Sequence, residues 1–337
     1  MGELNLGVVG LGLGRRFAVA FAEDASVGRL VVCDPDPGRI SDAQAAVPGL
    51  AAGYLSLEAM LGEEHLDAVA VVTPDHLHRP HAETCLEAGC HVLLTKPLAT
   101  NLDDGRAILR SAARASKVLM VAHERRFRTQ FWAVKQMLET GELGEIIHLR
   151  IDTVQDKREQ FKRAPWYAST EAGRTALVGS GIHEVDLARW LVGRPIESVF
   201  AFSNALGSLS FPREKTTAAL FRFAGGAIAQ VTVTYEAHWP PAGSIDDQFR
   251  LIAERGIIVG NRVARNGQDE WETLPADDDP LTAGVRGCVR SFLRAITQGD
   301  PIAVTGQDAF DSLAACVAAD ESAATGRPTI PAATEPA

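Results

Sequence analysis

The sequence predicts two domains of different class. The first is α/β with a parallel sheet; the second is α+β with a large, mostly antiparallel open sheet. Three observations carry this. Short apolar strands alternate with helices as far as residue 122, the texture of a parallel sheet with right-handed crossovers. Beyond it, strand-like runs follow one another with few helices between them, which points to antiparallel pairing. The chain has 337 residues, enough for two domains that each bury a core.

In order, residues 5–10 form an apolar strand, and Gly10-Leu11-Gly12-Leu13-Gly14-Arg15-Arg16 is the turn after it, leading into a helix over 17–22. Glycines there let the backbone approach a pyrophosphate, and the helix start offers unpaired N–H groups. A second strand, Leu30-Val31-Val32-Cys33-Asp34, ends in an acid about 20 residues after the glycines, the spacing that ribose recognition requires. Asp34 would accept the ribose hydroxyls and repel a 2′-phosphate, so NAD is expected over NADP. Arg39 is the residue that could swing toward such a phosphate.

A short helix over 56–61, a β-branched strand over 66–74 and a helix over 79–88 closed by Gly89 come next. Then Gly89-Cys90-His91-Val92-Leu93-Leu94-Thr95-Lys96-Pro97-Leu98 reads as a buried strand ending in a lysine. A helix over 102–115 and a strand over 118–122 complete the first domain. In the second, a helix is expected over 129–139 and strands over 145–153, 198–203, 218–223, 227–235, 249–253 and 256–259. Gly225-Gly226 is a hairpin turn. Helices over 281–297 and 308–324 close this domain. The boundaries are thus 1–122, 123–326 and a Pro/Ala-rich, frayed tail over 327–337.

Composition narrows the classes. Hydrophobic content of 46% and charged content of 23% suit a globular protein, and the net charge of −10 argues against nucleic-acid or anionic-membrane partners. No apolar run nears the roughly 20 residues that cross a bilayer. Five cysteines without a CxxC pair read as buried thiols in a reducing compartment, and no signal-peptide pattern precedes the first strand, so a cytoplasmic protein is expected.

The chemistry centres on Lys96. Ligands of an open α/β sheet collect outside the carboxyl ends of its strands, where an ammonium has no structural reason to sit. A pyridinium ring beside this amine favours its neutral form, which can take the proton of an alcohol while hydride leaves carbon. In reverse the ammonium stabilises the alkoxide. Thr95 and Pro97 flank it against the cofactor. The loop with Thr73, Pro74, His76 and His78 borders the same cleft, with Thr73 and His78 facing the nicotinamide. Its three histidines do not make a metal site, since Pro74 and Pro80 break the spacing and no later pair completes a ligand set.

The other half of the site is expected from the second domain, on a helix over 179–193 capped by Ser180 or Gly181 and ended by Gly193. His183 lies in its first turn, where the dipole disfavours imidazolium, and Asp186 can orient the ring. The competing account is a structural histidine satisfied by Asp186. Arg126, Lys157, Arg163, Trp166 and Tyr167 are candidates for the substrate side: ring faces suit sugar C–H faces, and the cations suit hydroxyls or a carboxylate.

Together these segments resemble the glucose-fructose oxidoreductase/inositol dehydrogenase/rhizopine-catabolism family of NAD(P)-dependent oxidoreductases. The likeness runs from Gly10-Leu11-Gly12 through Asp34, Thr73-Pro74, His78, Lys96-Pro97 and Arg126-Phe127 to His183, Asp186 and Gly326-Arg327-Pro328. It implies a Rossmann domain and an open-sheet domain whose exposed face makes a homodimer or homotetramer. It also implies hydride exchange with a secondary alcohol of a sugar, polyol or cyclitol. The family's catalytic lysine and histidine correspond to Lys96 and His183. Three positions depart: Arg15 stands at the third fingerprint glycine, Thr95 at a glutamate, and Gly179 at the catalytic aspartate of an Asp-x-Gly-x-His motif. With Lys96 and His183 as base and stabiliser, a dehydrogenase is expected. A cofactor-binding regulator without turnover, and a glycosidase or epimerase using transient oxidation, are the alternatives.

Overall fold

The computed structural model describes residues 3–238 and 245–333. They fall into two compact units: residues up to Phe127 with Leu281–Phe310, and Arg128–Pro280 with the stretch from Asp311 onward.

The first unit runs β1 (Leu4–Val9), α1 (Leu11–Ala22), β2 (Val27–Cys33), α2 (Pro37–Ala46), β3 (Ala52–Tyr54), α3 (Leu57–Glu63), β4 (Ala68–Val71), α4 (His78–Glu87), β5 (His91–Thr95), α5 (Leu102–Ala115) and β6 (Leu119–Ala122). All six strands are parallel, in the order β3-β2-β1-β4-β5-β6. Val8 pairs with Val32 on one side and Ala70 on the other, and all three are buried. Strands covered on both faces need continuous apolar runs, which these have. Helix starts follow their caps: Ser56 accepts from the Ala59 amide at 3.2 Å and Asn101 from the Asp104 amide at 2.9 Å. The order reverses between β1 and β4, the switch point where such sheets hold ligands.

The second unit contains α6 (Thr129–Glu139), β7 (Ile146–Gln155), α7 (Arg158–Arg163), α8 (Ile182–Val192), β8 (Ile196–Asn204), β9 (Thr216–Phe223), β10 (Ile228–Thr234), β11 (Ile245–Ala253), β12 (Gly256–Val259), β13 (Arg262–Arg265) and β14 (Glu272–Thr273). Its sheet has the order β14-β13-β12-β11-β7-β10-β9-β8; β7 and β10 are parallel and the remaining pairs antiparallel. Thr217, Ala219, Phe221 and Phe223 alternate inward on β9, while Leu220 stays exposed. Gly225 and Gly226 take φ of 88° and 95° in the β9–β10 hairpin, as the turn requires.

Two expectations are corrected. The helix expected to close the second domain, α9 (Pro280–Gln298), belongs to the first unit. Val285, Cys288, Val289, Phe292 and Leu293 join the cluster of Leu6, Val8, Phe17, Phe21 and Met120. Periodicity shows that a helix has an apolar face but not which core receives it. The last helix is α10 (Gly306–Thr325). After it, the described part of the expected frayed tail is tied down: Val199 and Thr329 exchange amide-to-carbonyl bonds of 2.8 and 2.9 Å. Residues 334–337 of that tail lie outside the described residues. The first helix also starts at Leu11, within the glycine turn, and β3, α2, β13 and β14 had no distinct sequence signal.

Candidate active site

The first unit carries a nucleotide cradle. Gly10 has φ of 85°, and a Cβ there would lie 2.5 Å from the Val72 carbonyl oxygen, so no side chain fits. Gly12 has open space, with the Arg39 guanidinium nearest at 3.9 Å from a notional Cβ. The third packing glycine is Gly14, where a Cβ would press on Val8 and Val72 at 3.2 and 3.3 Å. Gly14 therefore does the close helix–strand packing, and Arg15 is free to face outward toward Asp42, 3.9 Å away. Leu11 is buried and Leu13 is exposed. The first turn of α1 holds no acid of its own, and an unpaired helix-start amide is the kind of group that meets an anion.

Asp34 is buried at the end of β2. Its Oδ2 accepts from the Leu11 amide at 2.7 Å and its Oδ1 from the Asp36 amide at 3.0 Å. The acid thereby locks the glycine turn to β2. Arg39, half exposed, lies 3.5 Å from Asp34 and 3.7 Å from Asp36. Glycine cradle, donor-lined helix start and ribose-side acid are the groups a dinucleotide needs, and they fit it.

Lys96 follows the last residue of β5 and precedes Pro97, the two joined by a cis peptide bond. The Thr95 hydroxyl donates to the Val71 carbonyl at 3.2 Å, so this residue stitches β5 to β4. His78 corrects the expectation that it faces the cofactor. Its ring is wholly buried, with Nδ1 2.7 Å from the Pro97 oxygen and Nε2 3.1 Å from the Thr73 oxygen. Burial lowers its pKa, outweighing the Asp75 carboxylate, and keeps the ring neutral. His78 positions the Lys96-Pro97 turn against the Thr73 loop. The Thr73 hydroxyl lies 3.1 Å from His81 Nδ1, and Pro74 and His76 occupy a half-buried turn beside it. The histidines of this loop thus serve separate partners. Arg126 is buried in the turn over Glu124–Phe127 and donates to the Ala303 carbonyl at 3.4 Å.

In the second unit, α8 is preceded by a π-helical turn over Leu177–Gly181, and neither Ser180 nor Gly181 supplies the expected side-chain cap. Ser180 instead meets the Tyr235 hydroxyl, which donates to it at 3.0 Å. His183 is half-buried in the first turn of α8, and Asp186 accepts from the Ser312 hydroxyl at 3.0 Å. Trp166 and Tyr167 stack on each other with centroids 3.9 Å apart. Lys157 is buried, 2.5 Å from the Gln160 oxygen and 5.4 Å from the Tyr235 ring centroid. Arg163 stays exposed at the end of α7.

Sequence reasoning missed Arg174. It is buried, its Nη2 donates to the Gly179 carbonyl at 2.6 Å, and its guanidinium lies 4.7 and 5.5 Å from the Tyr167 and Trp166 ring centroids. The only available signal was a cation five residues ahead of an out-of-pattern glycine.

Sheet order, the glycine cradle and the buried acid after β2 define a dinucleotide-binding domain. Residues 4–123 match the model for the oxidoreductase family with an NAD-binding Rossmann fold, and residues 131–259 match that for the GFO/IDH/MocA C-terminal domain. The chain belongs to the GFO/IDH/MocA family. Inositol 2-dehydrogenase 2 of Saccharopolyspora erythraea is 26% identical over 332 residues, covering 96% of this chain and 94% of that one. The 1,5-anhydro-D-fructose reductase of Ensifer adhaerens is 27% identical, covering 95% and 96%. Among solved structures, the WlbA dehydrogenase from Bordetella pertussis in complex with NADH and UDP-GlcNAcA is 27% identical. It has a TM-score of 0.83 and covers 99% of each chain.

Proposed function

We propose that the protein oxidises a secondary alcohol of a sugar, polyol or cyclitol, with Lys96 as acid/base. One observation carries the assignment: Lys96 directly follows β5 in the same parallel sheet whose β1–α1 turn and Asp34 form the dinucleotide cradle, and His78 packs against its turn. NAD, when bound, supplies the hydride acceptor. The alcohol O–H bond breaks as the proton passes to the neutral Lys96 amine, and the carbinol C–H bond breaks as hydride leaves, so C–O becomes C=O. In the reverse direction Lys96 returns the proton. His183 holds the substrate hydroxyl, with Trp166, Tyr167, Arg126 and Arg163 as further substrate groups. Gly10, Leu11, Gly12, Leu13, Gly14 and Arg15 take the pyrophosphate side, Asp34 and Arg39 the ribose. Thr73, Pro74, His76, Thr95 and Pro97 shape the nicotinamide side.

A panel of polyols and sugars assayed with NAD at 340 nm tests this reading. Substrate-dependent NADH formation is expected. Tight NAD binding without turnover across the panel would favour a cofactor-binding regulator, which the lack of an acid at Gly179 suits. Cofactor recycled without net reduction would favour an epimerase or glycosidase.

Other supports are of a coarser kind. All five cysteines are buried, which suits a reducing cytoplasm, and among the described residues no helix is long and apolar enough to cross a membrane. The acidic net charge suits a small-molecule partner rather than nucleic acid. Phe202, Leu220 and Ile228, exposed on the second unit's sheet, suit a homodimer or homotetramer through that face.

A further inference from the structure

Among the described residues, the two edges of the second unit's sheet are protected in different ways. At one end β14 has only two residues, both exposed, and β13 beside it carries Arg262 and Arg265, so short length and charge blunt that edge. At the other end β8 is long. Its stretch Ser198-Val199-Phe200-Ala201-Phe202-Ser203 holds no charge, no proline and no glycine, the composition of a segment that pairs with its own kind. Phe202 adds an apolar side chain that is 68% exposed. Nothing within that stretch discourages a further strand.

What occupies this edge is the chain's own C-terminal segment. Gly326, with φ of 65°, ends α10 and turns the backbone toward β8. The Val199 amide donates to the Thr329 carbonyl at 2.8 Å and the Thr329 amide donates to the Val199 carbonyl at 2.9 Å, one antiparallel rung. The next rung in that register would join Ala201 to Arg327, and the Ser322 hydroxyl takes its place. It accepts from the Ala201 amide at 3.1 Å and donates to the Arg327 carbonyl at 2.7 Å, and Ser322 is fully buried. In the other direction the register calls for residue 331, a proline with no N–H to give. Pro328 likewise has no N–H to offer a newcomer. The segment thus fills the edge at Val199 and Ala201, and its prolines make it a poor template for another strand.

We propose that residues 327–333 act as an edge guard: by holding Val199 and Ala201 they keep β8 from pairing with the β8 of a second copy of this chain. A second copy is the occupant that fits, because antiparallel pairing of two identical uncharged strands about a two-fold axis is self-complementary. This surface is the edge of the sheet, separate from its exposed face, and the inference does not depend on the dehydrogenase reading. Edge pairing doubles whatever mass the intact protein has.

Light-scattering mass and sedimentation over a wide concentration range, on the full-length protein and on a form ending at Gly326, test this. The shortened form should approach about twice the full-length mass at high concentration and dissociate on dilution. Adding Val199→Pro to the shortened form should restore the full-length mass, because it removes the N–H that shortening frees and leaves the β9 ladder intact. Thr329→Pro in the full-length protein removes only the donor to the Val199 carbonyl and should give a smaller doubled fraction. Equal masses for the full-length protein and a shortened form that still melts cooperatively would overturn the guard. Doubling that survives Val199→Pro would overturn it too, by placing the assembly elsewhere. If the shortened form loses its cooperative melt, Thr329→Pro decides: a doubled species that grows with concentration supports the guard, and its absence overturns it.

Discussion

The imidazole of His78 meets the carbonyl oxygen of Pro97 at 2.7 Å, joining the first turn of α4 to the turn that carries Lys96. The other ring nitrogen faces Thr73 O at 3.1 Å. A neutral ring donates through one nitrogen only, so one of these contacts is a hydrogen bond and the other is packing, with the ring filling the space between the segments after β4 and β5.

This gives a pH dependence with a definite sign. Burial depresses the His78 pKa, so the folded protein keeps the ring neutral while the unfolded chain protonates below the ordinary value of 6.5. The unfolded state binds the extra proton, and stability is lost as pH falls through that value, by at most about 1.4 kcal/mol per pH unit. His78→Gln should therefore cost more stability at pH 7.5 than at pH 5.5. Denaturant midpoints at the two pH values check this; a cost that grows toward acid would contradict it.

Asp320 has the opposite sign. Burial raises its pKa from 3.8 to about 6, against the lowering effect of the Thr175 hydroxyl bond. The folded state holds the proton over a range where the unfolded chain has released it, so stability falls as pH rises from about 4 to about 6 and stays lower above. Asp320→Asn keeps an oxygen for Thr175 and removes the charge. It should stabilise by about 1–3 kcal/mol at pH 8 and by little at pH 4. Thermal melts of both proteins decide the point; no gain at pH 8 would refute it.

Asp34 accepts from the Leu11 amide, and its proposed second role is to bind the ribose. Asp34→Ala should weaken NADH binding about 10-fold while weakening NADPH binding less, because the repulsion of a 2′-phosphate goes with the carboxylate. Fluorescence titrations with the two cofactors measure the ratio. An unchanged NADH-to-NADPH preference would remove Asp34 from the ribose.

Much of this was legible in the residues. Lys96 after Val92-Leu93-Leu94, and Asp34 after Leu30-Val31-Val32, sit at strand ends because apolar runs of that length make buried strands and the following residue leaves the sheet. The helix over Leu102–Ala115 begins at Asn101, as an N-cap should. What stayed hidden depends on distant packing. Gly14 takes the third-glycine role because Val8 and Val72 press on it, and a spacing rule cannot see them. The α9 helix carries the same apolar stripe whichever core it enters. His78 had been expected to face the cofactor, since nothing local places the carbonyls of Thr73 and Pro97 on either side of its ring. Arg174 escaped notice because its bond to the Gly179 carbonyl has no local sequence signal.

The central claim is that the Lys96 amine carries the proton of the oxidised alcohol, and steady-state kinetics of Lys96→Met on a confirmed substrate test it most directly, alongside NAD affinity. The account predicts a kcat lower by about 10²-fold or more with NAD binding nearly intact. Turnover equal to that of the wild-type protein would contradict it.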